Sequence, residues 1–167
     1  LFNPPVLPAP MSAAQALSSE FIDEGIALHA LLERLTYAHS WPPQLPEAAA
    51  IAAWLQCELG LAETVRAQAG TILSSAELRR FFDPSTFRFA RNEMEIVTAD
   101  GVLRFDRIVM FEDALWILDY KRQLLESERI GYAQQLARYR AAAREVFIGV
   151  EIRSALITSD GNLIEIH

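Results

Sequence analysis

The sequence predicts an α/β (α+β) domain: a mixed sheet of about five strands flanked by helices, with a helical N-terminal part. Three observations lead there. Apolar residues recur every three or four positions from residue 12 to residue 37, the period of a helix with one buried stripe. Between residues 87 and 120, runs rich in Val, Ile, Leu, Phe and Trp are separated by Asp100-Gly101 and by Phe111-Glu112-Asp113, as strands are by turns. A long helical stretch then precedes two more strand-like runs, which makes a right-handed crossover the economical connection.

A chain of 167 residues is the length of one ordinary domain, and folding at this size buries roughly 70% of the unfolded surface. The single cysteine, Cys57, excludes an internal disulfide, a cysteine zinc site and a four-cysteine iron–sulfur cluster, and fits a reducing cytoplasmic setting. No apolar run approaches the ~20 residues of a membrane span, and no membrane partner is expected.

Leu1 to Pro10 contains four prolines, so residues 1–11 read as an extended linker from an upstream region, and 12–167 as a single domain. In the first helix Leu17, Phe21, Ile26, Leu28, Leu31, Leu32 and Leu35 form the apolar stripe, with Gly25 as a point where it bends or splits. His29 and Glu33, four apart, share a face. By spacing alone His29 is a packed or surface histidine. Trp41-Pro42-Pro43 breaks the chain, and 41–86 forms a helical insertion: Leu45–Leu59, Leu61–Ala69 split from it at Gly60, and Thr71–Phe82 capped by Ser74-Ser75. It carries no chemistry and reads as a scaffold.

Residues 87–167 hold the core sheet and its helix. Strands are expected over Phe87–Val97, Val102–Met110 and Ala114–Tyr120, the last two as an antiparallel pair that brings Asp106 near Asp119. Glu93 and Glu95 face one side of the first strand, either as a solvated edge or with one of them as a third carboxylate. The helix spans Ser127–Phe147 with Ile130, Leu136, Tyr139 and Val146 inward and with Gln135 and Tyr139 on one face. Strands over Val150–Thr158 and Asn162–Ile166 close the chain through Ser159-Asp160-Gly161.

The chemistry concentrates in Asp106 and in Asp119-Tyr120-Lys121. Along a strand Asp119 and Lys121 point to the same face, roughly 6.6 Å apart, with Tyr120 opposite. Two accounts are open. Asp119 and Lys121 form a structural ion pair with Asp106 as a rim carboxylate, or the two carboxylates hold one or two hard cations while the lysine handles a water. Of 15 basic residues Lys121 is the only lysine. A compact ammonium offers what a guanidinium cannot, a pKa that shifts readily.

A net charge of −7 argues against nucleic acid, but the halves differ. Residues 1–78 carry two basic and eight acidic residues, and 79–167 carry thirteen and fourteen. The arginines from Arg79 to Arg140 are therefore candidates for a basic rim around an acidic pocket, or for an ordinary solvated surface.

In order, His29-x-x-x-Glu33, Glu93, Asp106, Asp119-Tyr120-Lys121 and Tyr132-x-x-Gln135-x-x-x-Tyr139 resemble the RecB-type branch of the PD-(D/E)XK nucleases, in particular the nuclease domain at the C-terminus of AddA- and RecB-like helicase–nuclease (exonuclease V) subunits. The likeness spans about residues 20–167 and implies a restriction-endonuclease-like fold. It implies that His29, Asp106, Asp119 and the Tyr120 backbone carbonyl bind Mg2+ or Mn2+, that Lys121 activates water or stabilises the transition state, and that Glu93 supports the site. Gln135 and Tyr139 would contact a DNA strand or brace the metal site, and Glu33 would orient its helix or His29. The implied activity is that of a metal-dependent deoxyribonuclease, an exonuclease on single-stranded DNA ends in recombinational double-strand-break repair within the bacterial cytoplasm. Its partners would be an upstream helicase domain of the same polypeptide and a second helicase–nuclease subunit. The alternative is a catalytically inactive DNA-binding or subunit-docking module with the same fold. One departure is Leu103, where the family often has glycine three residues before the first aspartate. With one lysine and no Gly-x-x-x-x-Gly-Lys-Ser/Thr loop, a motor must lie outside this stretch.

Overall fold

The computed structural model describes the backbone of residues 13–37 and 40–167 and the side chains from Glu24 onward within them. The proline-rich segment 1–11, and the side chains of the stripe residues Leu17 and Phe21, lie outside what is described. The chain runs α1 (Ala13–Tyr37), α2 (Ala48–Leu55), α3 (Leu59–Ser74), a 3-10 turn (Arg79–Phe81), β1 (Phe89–Thr98), β2 (Gly101–Met110), β3 (Ala114–Lys121), a second 3-10 turn (Glu126–Glu128), α4 (Arg129–Val146), β4 (Glu151–Thr158) and β5 (Leu163–Glu165).

The strands form one five-stranded sheet in the order β1-β2-β3-β4-β5. Neighbours are antiparallel except β3 and β4, which run parallel because α4 carries the chain back between them. On one face α1, α2, α3 and the first 3-10 turn enclose Leu31, Leu32, Ile51, Val65, Phe81, Val109 and Leu118, all fully buried. On the other face α4 covers Phe105, Ile108, Leu115 and Ile117 near β2, and Leu156 and Ile166 near β4. Alternate residues of β3 feed the two cores, Ala114, Trp116 and Leu118 into the first and Leu115 and Ile117 into the second. That accounts for its almost continuous apolar sequence. Each such leucine or isoleucine contributes about 1.5–3 kcal/mol by leaving water.

Several local expectations are corrected. α1 continues unbroken through Gly25. The break between α2 and α3 falls at Gln56, which takes the left-handed conformation at φ +52° while its N–H returns to the Ala52 carbonyl. Gly60 instead lies inside the first turn of α3. Ser75 ends α3, its N–H donating to the Ile72 carbonyl, and only a 3-10 turn follows. On α4 the buried stripe is Leu136, Ala142 and Ala143, whereas Ile130 and Val146 are 73% and 51% exposed. They sit in the terminal turns of the helix, where it runs out of sheet to cover.

Candidate metal centre

The site lies where two strands part. The β2–β3 ladder pairs Arg107 with Leu118 through Met110 with Leu115 and stops there. One more step in the same register would set Asp106 opposite Asp119. Two adjacent carboxylates repel in a low-dielectric setting, and here the side chain of Asp106 replaces the main-chain bond, Oδ2 accepting the Tyr120 N–H at 2.8 Å. The ladder resumes on the far side of β3, where Asp119, Tyr120 and Lys121 pair with Leu156, Ile157 and Thr158 of β4.

β1 and β2 change faces at the same level. Ala90 packs into the α1-side core and Asn92 reaches Thr36 of α1, but Met94 and Ile96 pack on the α4 side. On β2, Val109 and Arg107 face α1's side while Phe105 and Leu103 face α4's. Strict alternation is therefore skipped at Glu93 and Asp106, and both turn toward α1. Glu93 takes φ +53°, a left-handed backbone that a glutamate adopts at a cost of order 1–3 kcal/mol. The register continues unshifted beyond it, from Asn92 opposite Arg107 to Met94 opposite Phe105.

His29 descends onto this point from α1, held by the buried Leu28, Leu31 and Leu32 around it. Its Nε2 lies 3.0 Å from Asp106 Oδ1 and 3.4 Å from Glu93 Oε1. Neither approach has hydrogen-bond alignment, so this buried nitrogen is without a hydrogen-bond partner. The Tyr120 ring meets the imidazole edge-on at 5.2 Å. Burial pushes the imidazole pKa down, but contact with Asp106, and then the charges of Glu93 and Glu33, raise it above its ordinary value. Glu93 is held from its other oxygen by the Arg104 guanidinium. One donor atom each from His29, Glu93 and Asp106 falls within 4.8 Å of the others.

Asp119 stands behind Asp106. Burial, followed by the charge of Asp106 and a hydrogen bond with it, pushes the Asp119 carboxyl up to about 9, with Lys121 opposing. Without a cation the Asp119 carboxyl therefore keeps its proton near neutral pH. The Lys121 ammonium lies over the Tyr132 ring of α4, 4.5 Å from its centroid.

Of the residues singled out in the sequence, His29, Glu93 and Asp106 bring donor atoms together and Tyr120 touches two of them, whereas Asp119 borders Asp106 without a donor atom in that group and Lys121 turns to Tyr132 of α4. Gln135 and Tyr139 bond to one another, Nε2 donating to the phenol oxygen at 2.9 Å, and the Tyr139 ring packs at a tilt against Phe105, the neighbour of Asp106. Their position is thus behind the site, on the α4 face. Glu33 is exposed one turn beyond His29, and Glu95 is exposed two residues past Glu93. Leu103 packs beside the α4-side core rather than making room for backbone. Arg104, a candidate for the basic rim by its charge, clamps Glu93 itself, and Asn92, which ties β1 to α1 through Thr36, was not singled out. The register of β1 against β2, with Glu95 opposite Arg104, is the one signal that brings that arginine near.

A family model described as the PD-(D/E)XK nuclease superfamily matches residues 8–160. The chain belongs to the PD-(D/E)XK nuclease superfamily. No curated protein matches it. The five-stranded mixed sheet with its flanking helices is the restriction-endonuclease-like fold expected of that superfamily. PD-(D/E)XK nucleases use divalent metals, and the donor set suits a hard cation: carboxylate oxygens from two strands with a buried imidazole nitrogen beside them. Among the described residues no helix is long and apolar enough to cross a membrane.

Proposed function

We propose that this domain is a divalent-metal-dependent deoxyribonuclease, an exonuclease on single-stranded DNA ends that serves a helicase–nuclease in recombinational double-strand-break repair in the bacterial cytoplasm. The observation that carries it is the buried His29 Nε2 held beside the Glu93 and Asp106 carboxylates at the strand fork, in a chain of this superfamily. His29, Asp106 and Asp119 hold Mg2+ or Mn2+ with the Tyr120 carbonyl, and Glu93 Oε1 joins them at the position its strained backbone gives it. Such a cation supplies Lewis acidity toward the phosphate and lowers the pKa of a bound water.

The protein's own groups do the rest. Lys121, carried past the fork by β3 and steadied over Tyr132, activates the attacking water or balances charge that builds on the phosphate oxygens. The water oxygen bonds to phosphorus while the bond to the leaving 3′ oxygen breaks, the water losing a proton to solvent and the 3′ oxygen taking one from solvent to leave as a hydroxyl. Asp106, fixed by the Tyr120 N–H, keeps its carboxylate in one orientation throughout. Gln135 and Tyr139 brace the site from α4 through Phe105. An upstream helicase domain and a second helicase–nuclease subunit would supply the single-stranded ends.

The test is degradation of an end-labelled single-stranded oligonucleotide in Mn2+, beside a duplex of the same sequence and an EDTA control. Metal-dependent loss of the single strand, faster than of the duplex, is expected. No cleavage of any DNA in Mg2+ or Mn2+ by the folded protein overturns the proposal.

A further inference from the structure

A groove of about 950 Å³ opens on the β1 edge of the sheet, between the end of α1 and the segment that leads into β1. It begins beside the metal centre, since Glu33 follows His29 by one turn and Asn92 precedes Glu93, and it runs from there toward Arg88 and Phe89. Its chemistry is unlike that of the chain as a whole. In a protein of net charge −7, the lining includes three arginines and one carboxylate, Glu33.

Arg107 is the anomaly. It is 2% exposed, its Nε donates to the Phe81 carbonyl at 3.1 Å and its Nη1 to Asn92 Oδ1 at 2.7 Å, and no described carboxylate pairs with it. The Phe82 ring lies against it, 5.1 Å away. A buried guanidinium with only neutral partners costs free energy that a buried pair would recover, which favours an anion arriving from the groove. Arg91 is exposed at the groove wall with no ion pair among the described residues, and Arg88 has only a distant, solvent-exposed approach of 3.8 Å to Glu112. Flat apolar surface accompanies these charges: Tyr37 is 83% exposed at the end of α1, and Phe89 38% exposed on β1.

Cations spaced along a groove with aromatic faces between them are what a nucleic acid strand with unpaired bases requires, phosphates pairing with arginine while bases stack. A duplex keeps its bases stacked inside and offers none to Tyr37. We infer that the Tyr37–Arg91–Arg107 groove is a single-strand track that delivers the DNA backbone to the His29–Glu93–Asp106 centre, with Tyr37 and Phe89 as stacking platforms and Arg88 and Arg91 on the phosphates. The volume is at the upper end of the roughly 300–1,000 Å³ of small-molecule sites and accommodates a few nucleotides at a time. This inference rests on the nuclease function proposed above and names how its substrate is held.

The test is fluorescence anisotropy of a labelled oligothymidylate in EDTA, together with its cleavage in Mn2+, for the wild type, Tyr37→Ala and Arg91→Glu. Both sites are exposed, so folding is not at risk. Each variant is expected to weaken binding about tenfold, the scale of one stacked base or one lost phosphate contact, with a rise in KM larger than any fall in kcat. An abasic strand of equal length separates the two contributions: it should be bound less well by Arg91→Glu and equally well by Tyr37→Ala. Wild-type affinity for oligothymidylate in both variants overturns the track. Hydrolysis of bis(p-nitrophenyl) phosphate by the wild-type protein reports on the metal centre without the groove. If that small diester is cleaved while the variants bind DNA normally, the track alone fails, and if neither it nor DNA is cleaved, the nuclease function fails with it.

Discussion

The two halves of the β2–β3 pair are made of the same two strands and obey opposite rules. From Arg107 to Met110 the strands are laddered to Leu115–Leu118 and their side chains fill two dry cores. One residue further, at Asp106 and Asp119, the ladder is absent, a carboxylate accepts a main-chain N–H, and a carboxyl group is pushed up to about 9 by burial and by its neighbour. The closed half is optimised for stability. The open half holds like charges together, and such a concentration of electrostatic cost marks a place where a cation belongs.

Changes at the open half should cost activity and spare the fold. Asp119→Ala and Asp106→Ala are expected to lower cleavage of a labelled single strand by about a thousandfold or more, the scale of losing a principal electrostatic element, with an unfolding midpoint no lower than wild type. Activity persisting in Asp119→Ala removes that residue from the metal assignment. Lys121→Arg should fall by about a hundredfold, within the range for losing a positioned proton-handling group, because a guanidinium neither donates nor loses a proton near neutral pH. Wild-type rates in that variant would leave Lys121 a purely electrostatic task.

The closed half should respond in the opposite sense. Leu118→Ala opens a cavity in the α1-side core, where Leu118 is fully buried, and should cost about 2–5 kcal/mol by urea unfolding. A loss below about 1 kcal/mol would mean that this half of the pair is no better packed than the fork.

The smallest expected effect is the most diagnostic of the comparison. The Asp119 carboxyl is raised on folding, so the proton it holds stabilises the metal-free protein below the unfolded carboxyl value of 3.8, and that stability is lost as pH rises toward about 9. Asp119→Asn, which cannot ionise, should therefore raise the thermal midpoint of the metal-free protein at pH 8 and have little effect at pH 4. Thermal unfolding at the two pH values measures it. Equal effects at both would show that Asp119 ionises without penalty. Calorimetry with Mn2+ supplies the complementary reading: binding should strengthen from pH 6 to pH 8 as protons leave His29 and Asp119, and should vanish in Asp106→Ala.

Much of this organisation is written locally in the chain. The 3.6-residue stripe of α1, the apolar run of β3 and the Asp100-Gly101 and Asp160-Gly161 turns each declare their element, because burial period and turn geometry depend on near neighbours. Gly101 and Gly161 adopt positive φ values of 129° and 83°. The separation of Asp119 from Lys121 placed both on the face opposite Tyr120, since alternation along a strand needs no tertiary information.

What spacing and composition alone left open depends on contacts between distant segments. Nothing local distinguishes Glu93 from Glu95; one takes φ +53° at the point where the β1–β2 pairing skips a residue, and the other is exposed. His29 is 64 residues from Glu93 and 77 from Asp106, and only the packing of α1 over the fork makes one site of them. Arg107 looks like any strand arginine until its burial beneath Phe81 and Phe82 removes it from water. Element type follows from the order of apolar and polar residues along the chain. A charged group's partner, its burial and hence its proton are properties of the folded surroundings, because electrostatic energy depends on distance and dielectric rather than on sequence neighbours.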